Sequence, residues 1–193
     1  MLLIIDNQSS FIKKFKRNFL GEQNIEYRFT DHNEPLAVKP EEKVEGIILS
    51  GGKGHPFEPL NLTTNFVAMM NFEVPILGLC LGYEIIAVAY MGRIRKMEKY
   101  QKKLQTVRIL QPDDPIFRGL ISREVVLRKQ HQYQVTKLPP GFVKLGESEA
   151  CDIEIIRHRE KPIYGFQSHP EVSGVNGFLI MRNFLTMCGF DVI

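Results

Sequence analysis

The chain has 193 residues, of which 44% are apolar, and its formal net charge is +3. This length and apolar content suit one domain with a sizeable core, so we expect a single domain over residues 1–193. So small a charge gives no reason to expect a nucleic acid as partner. The apolar run over residues 74–91 is interrupted by Pro75 and Glu84, so no membrane partner is expected either.

Three cysteines are present, Cys80, Cys151 and Cys188. An odd number of widely separated cysteines argues against a disulfide framework and favours a reducing, cytoplasmic location. No C-x-x-C motif or histidine cluster accompanies them, so the sequence predicts no metal site. We expect Cys151 and Cys188 to fill the core.

The N-terminal half alternates apolar runs with helical patterns. Strands are predicted at residues 2–6, 25–29, 46–50 and 74–78. Helices are predicted after a cap at Ser9 or Ser10, and at residues 62–72 and 84–91. This alternation predicts an α/β protein with an open, mostly parallel sheet and helices on both faces.

The C-terminal half carries shorter strand patterns, at residues 106–110, 124–127, 142–146, 153–158 and 163–167, before a closing helix at residues 177–187. Basic residues cluster at positions 13–17 and again at positions 93–103. We interpret these clusters as a solvated helix face and a solvated loop. The alternative is docking to an acidic partner surface.

One stretch has the pattern of a nucleophile elbow. The apolar run at residues 74–77 leads into Gly78-Leu79-Cys80-Leu81-Gly82 and then into a helical pattern. Such a turn lifts the nucleophile above the sheet edge, and the flanking glycines allow strained backbone. A thiol at a helix N-terminus is also favoured as the thiolate. Cys80 is therefore the predicted nucleophile.

The chemistry of amide cleavage needs two further groups. A base must carry a proton to the leaving nitrogen, and donors must hold the oxyanion. His169 is the predicted base, with Glu171 on the same side of an extended segment to orient its ring. Backbone N–H groups of Leu81 and of the Gly51-Gly52 loop, Gly52 foremost, are the expected oxyanion donors.

The motifs resemble those of class I glutamine amidotransferases, the triad-type glutaminase domains. They are Leu-Ile-Ile-Asp-Asn at the start, Ile-Leu-Ser-Gly-Gly, Pro-Ile-Leu-Gly-Leu-Cys-Leu-Gly, and Gly-Phe-Gln-Ser-His-Pro-Glu. The resemblance covers nearly the whole chain and implies a flavodoxin-like fold. Within the family, the C-terminal part is most similar to the stand-alone amidotransferase subunit of archaeal GMP synthase, whereas residues 6–11 resemble the anthranilate synthase glutaminase.

By this resemblance, Cys80 attacks the side-chain amide of glutamine, and a γ-glutamyl thioester forms and is hydrolysed. The ammonia would pass to a separate ATP-dependent synthase subunit, which in GMP synthase amidates xanthosine monophosphate (XMP). ATP and Mg²⁺ would be used by that partner, and no cofactor is expected in this chain. The substrate-binding residues expected are Gly51, Gly52, Glu84, His131 and Gln132.

The chain also departs from the family pattern. Glu84 stands where the family usually has Gln, Lys53 replaces a frequent Pro, and Ser168 replaces a frequent Phe. Residues 130–135 stand where GMP synthase subunits carry a Ser-His-x-Asp-Glu-Val-like segment, which leaves the partner open. The alternatives are an anthranilate or aminodeoxychorismate synthase glutaminase, a free-standing γ-glutamyl hydrolase, and a non-catalytic regulatory paralogue.

Overall fold

The fold is described here from a computed structural model over residues 1–22, 25–38, 42–53 and 62–192. The strands are β1 (Leu2–Asp6), β2 (Tyr27–Asp31), β3 (Gly46–Leu49), β4 (Ile76–Leu79), β5 (Arg93–Ile109), β6 (Glu124–Lys137), β7 (Phe142–Ser148), β8 (Cys151–His158) and β9 (Ile163–Phe166). The α-helices are α1 (Ile12–Asn18), α2 (Thr63–Asn71), α3 (Leu81–Ala89) and α4 (Gly174–Met187).

All of these strands belong to one mixed sheet, in the order β2-β1-β3-β4-β9-β8-β7-β5-β6. The first five strands in this order pair in parallel, and the other four extend the sheet with antiparallel pairs. Strands buried on both faces read as continuous apolar runs, which is why β1 and β3 were easy to predict. The sheet confirms the predicted α/β class.

Helices cover both faces of the parallel part of the sheet, as predicted. Along β1, Leu2 and Ile4 pack into one core with residues of α1 and α4, whereas Leu3 and Ile5 pack into the other with residues of α2 and α3. Successive side chains of a strand point to opposite faces, so one strand serves both cores. No helix in the described part of the chain is long and apolar enough to cross a membrane.

The principal difference from the sequence prediction is a long hairpin. Residues 93–103 were expected to form a solvated loop, but they belong to β5, and β6 continues to Lys137, well beyond the predicted end at residue 127. The two strands pair antiparallel from Arg93 to Arg108, with a register shift between Lys96 and Gln101. Apolar periodicity missed this hairpin because most of its β5 side chains are exposed.

Candidate active site

The nucleophile turn is present and strained. Between β4 and α3, Cys80 has φ +49° and ψ −104°, a left-handed backbone that non-glycine residues rarely adopt. Its N–H donates to the carbonyl of Phe166 at 2.8 Å, so β9 holds the turn in place. A β-carbon on Gly82 would overlap with the backbone of Leu49. Glycine therefore lets α3 approach the end of β3, and the elbow geometry is confirmed.

The predicted base and its carboxylate are in contact. Nδ1 of His169 lies 2.7 Å from Oε1 of Glu171, and both side chains are buried. A 3₁₀ turn over Pro170–Val172 makes this contact, where we had expected an extended segment. The N–H of His169 donates to the carbonyl of Arg128 on β6 at 2.9 Å. The imidazole is thus fixed by its carboxylate and through its own backbone.

Burial and neighbouring charges act in opposite directions on the pKa values of Cys80 and His169. Burial alone lowers the pKa of His169, but the negative charges of Glu171 and Cys80 outweigh it and raise that pKa to about 10. Burial also raises the pKa of the Cys80 thiol, and the attraction of His169 offsets this only in part. The helix dipole alone predicted a favoured thiolate, but it neglects this desolvation. Sγ of Cys80 lies 3.7 Å from the carbonyl oxygen of Gln130.

The loop after β3 packs against Cys80 and His169. A β-carbon on Gly51 would lie 2.7 Å from Cε1 of His169 and 3.4 Å from Cβ of Cys80, so any side chain there would displace the imidazole. A β-carbon on Gly52 would lie 2.8 Å from Cδ2 of Leu81. The two predicted oxyanion donors, Gly52 and Leu81, are therefore neighbours. As the first residue of α3, Leu81 has an N–H that the helix does not use.

A cavity of about 390 Å³ is lined by Cys80. Of the predicted site residues, it brings together Cys80, His169, Gly52, Leu81, Glu84, His131 and Gln132. Gly51 and Glu171 do not line the cavity. Both residues lie against His169 instead.

Two predicted substrate-binding residues are buried and electrostatically perturbed. Burial raises the pKa of Glu84 to about 7. Two neighbours lower this pKa in part: Nε2 of Gln167 donates to Oε1 of Glu84 at 2.9 Å, and the charge of His169 attracts the carboxylate. Burial and the charge of Lys129 lower the pKa of His131 to about 4. Nδ1 of His131 lies 2.8 Å from the carbonyl of Tyr133. The neutral ring therefore donates from Nδ1, which leaves Nε2 as an acceptor.

Several site residues were not predicted. Lys96 and Tyr100 of β5 line the cavity, as does Ser10, whose hydroxyl accepts from Nε2 of Gln130 at 3.2 Å. The ring of Phe11 meets that of His169 edge-on, with centroids 4.7 Å apart. Only proximity in the fold reveals these residues.

The other two cysteines lie in the core, as predicted. Cys151 and Cys188 are buried and free. Burial raises the pKa of Cys188 to about 12, so this thiol stays protonated. Within the described ranges, no three His, Cys, Asp or Glu side chains are grouped as a metal ion would require.

This geometry agrees with comparisons to known proteins. The family model "Glutamine amidotransferase class-I" matches residues 3–188. The chain therefore belongs to the class I glutamine amidotransferases, and the enzyme class predicted from its motifs is confirmed.

Among curated relatives, the glutamine-hydrolysing GMP synthase subunit of Thermococcus kodakarensis is 38% identical, over 98% of this chain and 99% of its own length. That of Methanocaldococcus jannaschii is 33% identical, over 98% of each. These relatives confirm the predicted similarity to the archaeal subunit.

Solved structures confirm the fold. A candidate GMP synthase subunit of Thermoplasma acidophilum superposes with a TM-score of 0.84 at 24% identity, over 97% of this chain and 93% of its own. A glutamine amidotransferase of Thermotoga maritima gives a TM-score of 0.77 at 18% identity, over 96% and 80%.

Proposed function

We propose that this chain hydrolyses glutamine through a Cys80–His169–Glu171 triad and supplies the ammonia to a separate synthase subunit that amidates XMP. The observation that carries the proposal is the joint geometry of the elbow and the base. Cys80 sits on a strained turn in a cavity that His169 also lines, and Glu171 fixes the imidazole at 2.7 Å. Nucleophile, base and orienting carboxylate are the three parts of such a triad.

The reaction begins with transfer of the thiol proton from Cys80 to the neutral imidazole of His169, which gives a thiolate beside an imidazolium. The sulfur attacks the amide carbon of glutamine, and the carbonyl becomes an oxyanion. His169 then protonates the leaving nitrogen, and ammonia departs as the γ-glutamyl thioester forms. A water molecule, deprotonated by His169, cleaves the thioester and returns the thiol. The raised pKa of His169 suits its role as the acid.

The oxyanion would be held by backbone N–H groups of Gly52 and Leu81. Both residues line the cavity beside Cys80, and fixed backbone donors need no reorganisation during the reaction. Removing such a donor typically costs about 10²–10³ in rate. Gly51 contributes indirectly, because its missing side chain leaves room for His169.

The amino-acid end of glutamine would be bound by Glu84, His131 and Gln132. Glu84 is a buried carboxyl that can pair with an α-ammonium group, and Nε2 of His131 is a buried acceptor with no hydrogen-bond partner among the described residues. A substrate donor entering the cavity would satisfy that nitrogen. The cavity thus offers acceptors for the ammonium end of the substrate.

The partner assignment rests on the relatives. Each is named as one subunit of a glutamine-hydrolysing GMP synthase, which implies a second subunit, and the similarity spans nearly the full length of both chains. In the proposed complex, that second subunit uses ATP and Mg²⁺ to activate XMP, and this chain contributes ammonia to purine biosynthesis as one half of a heterodimer. Cytoplasmic location stays a prediction.

The test is ammonia release from glutamine with and without the XMP-amidating synthase subunit of the same organism, ATP, Mg²⁺ and XMP. We expect GMP formation from glutamine in the complete mixture. Cys80→Ala should abolish glutamine-dependent GMP formation and leave ammonia-dependent formation intact. His169→Ala should lower the glutamine-dependent rate by several orders of magnitude, because a triad acts as a unit.

Cys151→Ala is the matched control, since it removes a buried thiol away from the cavity; it should keep full activity. Loss of the ammonia-dependent reaction in Cys80→Ala would contradict the two-subunit model. A rate of glutamine hydrolysis that is the same with and without the synthase would contradict the XMP assignment and favour a free-standing hydrolase.

A further inference from the structure

β5 and β6 form a long two-stranded hairpin beside the candidate active site. β5 spans 17 residues, but it pairs with β7 only at Arg108 and Ile109. Over residues 93–107 it pairs with β6 alone among the described strands, and β6 is the last of those strands in the sheet. We call residues 93–107 of β5 the basic ribbon.

The charge of the basic ribbon is strongly one-sided. It contains six cationic residues and a single carboxylate, Glu98, and all seven are exposed. In the described part of the chain, none of the six has a carboxylate within 4.0 Å. The cations are Arg93, Arg95, Lys96, Lys99, Lys102 and Lys103.

The basic ribbon also carries two exposed apolar groups, one of which lines the cavity. Tyr100 is 52% exposed and Leu104 is 59% exposed. Lys96 and Tyr100 line the same cavity as Cys80, and partial burial and the charge of Cys80 raise the pKa of Tyr100. A protein seated on the ribbon would therefore contact the wall of the cavity that holds Cys80.

We propose that the basic ribbon is the docking surface for the ammonia-consuming synthase, which would meet it with an acidic patch surrounding an apolar contact. This inference rests on the proposed function, because that function requires a partner close to the cavity. Opposite charges would steer the encounter and fix its register, while Tyr100 and Leu104 supply apolar area of the kind that anchors interfaces.

A simpler role for these lysines makes a different prediction. Charged side chains protect an exposed strand edge from pairing with other chains, and glutamate serves that purpose as well as lysine. Charge reversal therefore separates the two roles, because it preserves edge protection and destroys complementarity to an acidic surface.

The experiment measures the dissociation constant for the XMP-amidating synthase subunit of the same organism. The test variant is the double substitution Lys99→Glu with Lys102→Glu, at two ribbon residues outside the cavity lining. The matched control is Arg159→Glu with Lys161→Glu, two exposed cations beside the turn between β8 and β9. Each double variant lowers the net charge by four, so a difference between them reports position and not net charge.

We expect the ribbon variant to bind the synthase at least about tenfold more weakly, and the control to bind like the wild type. Wild-type affinity should also fall between about 50 and 300 mM salt, more steeply than that of the ribbon variant. Thermal unfolding of both variants checks that they fold, and ammonia-driven GMP formation checks the synthase.

Ribbon-variant affinity within about twofold of wild type, or an equal loss in the control, would overturn the docking proposal while the coupled glutaminase stands. If the wild-type chain neither binds the synthase nor supports GMP formation from glutamine with it, the proposed function is overturned. The proposal that the synthase docks on the basic ribbon then falls as well.

Discussion

Glu84 has a buried carboxyl group that accepts a hydrogen bond and has a pKa near neutral pH. Only 3% of it is exposed, and its carboxyl accepts from Gln167 at 2.9 Å. Burial penalises the charged form, so the folded protein holds a proton here that the unfolded chain has already lost. The carboxyl is thus a source of pH-dependent instability at the same position that the sequence marks as unusual in the family.

We expect Glu84→Gln to stabilise the fold in a pH-dependent way. Burial raises the pKa from an ordinary 4.5 to about 7, so the wild type loses stability as pH rises through this window and has lost it fully above pH 7. The loss corresponds to at most about 3 kcal/mol. The amide oxygen of glutamine still accepts from Gln167 and carries no charge. Denaturant unfolding at pH 5 and pH 8 should therefore show the advantage of the variant growing toward pH 8.

Glu149→Gln, at an exposed carboxylate, is the control and should show no such growth. A constant difference between Glu84→Gln and wild type at both pH values would mean that Glu84 does not titrate in this window. The glutamine KM of the same variant would separately report whether Glu84 contacts substrate.

At the scale of single elements, the elbow between β4 and α3 has a strained backbone. Cys80 holds φ +49°, and a non-glycine residue in such a conformation costs about 1–3 kcal/mol. The cost persists in Cys80→Ala, which keeps a β-carbon, but is relieved in Cys80→Gly. We expect the glycine variant to be more stable than the alanine variant by about 1 kcal/mol, as measured by denaturant unfolding.

The same pair of substitutions at Cys151 provides the comparison. That cysteine lies in β8 without a positive φ, so glycine there should be less stable than alanine. If glycine proves less stable than alanine at both positions, the turn is not strained.

The elements differ in how much of them the sequence could predict. β1 and the elbow follow from local patterns, an apolar run and a run ending in small residues. β6 was predicted only as far as residue 127, because Lys129 interrupts the apolar alternation. In the structure Lys129 keeps that alternation, fully buried between Leu127 and His131, because it pairs with Glu154 of β8. No local pattern reveals a partner 25 residues away.

The same limit applies to the site. Cys80, His169 and Glu171 could be predicted from local motifs, and the structure brings Cys80 and His169 to one cavity, with Glu171 in contact with His169. The carbonyls of Arg128 and Gln130, which contact His169 and Cys80, depend on the path of β6 and on no side-chain identity. The part of the cavity wall that β5 supplies could not be predicted either, because a lysine-rich stretch is typical of a solvated loop.

On the scale of the whole molecule, the Lys129–Glu154 ion pair connects the hairpin to the rest of the sheet. Both side chains are fully buried, and Ser148 donates to the other carboxylate oxygen of Glu154 at 2.6 Å. β6 in turn supplies the carbonyl that receives the N–H of His169. A buried pair is weak evidence for net stability, but breaking it leaves an uncompensated buried charge.

We therefore expect Lys129→Met to lower the free energy of unfolding by about 3–5 kcal/mol and to reduce glutaminase activity with it. Adding Glu154→Gln should recover part of both losses, because the second charge is removed. A double-mutant cycle would measure this coupling. The matched control is Lys144→Met, which breaks two partly exposed pairs, with Glu147 at 2.7 Å and with Asp152 at 2.9 Å. Such exposed pairs contribute at most about 1 kcal/mol each. If the two lysine variants lose equal stability, or if the double variant is no better than Lys129→Met, the hairpin is held by apolar packing and not by this ion pair.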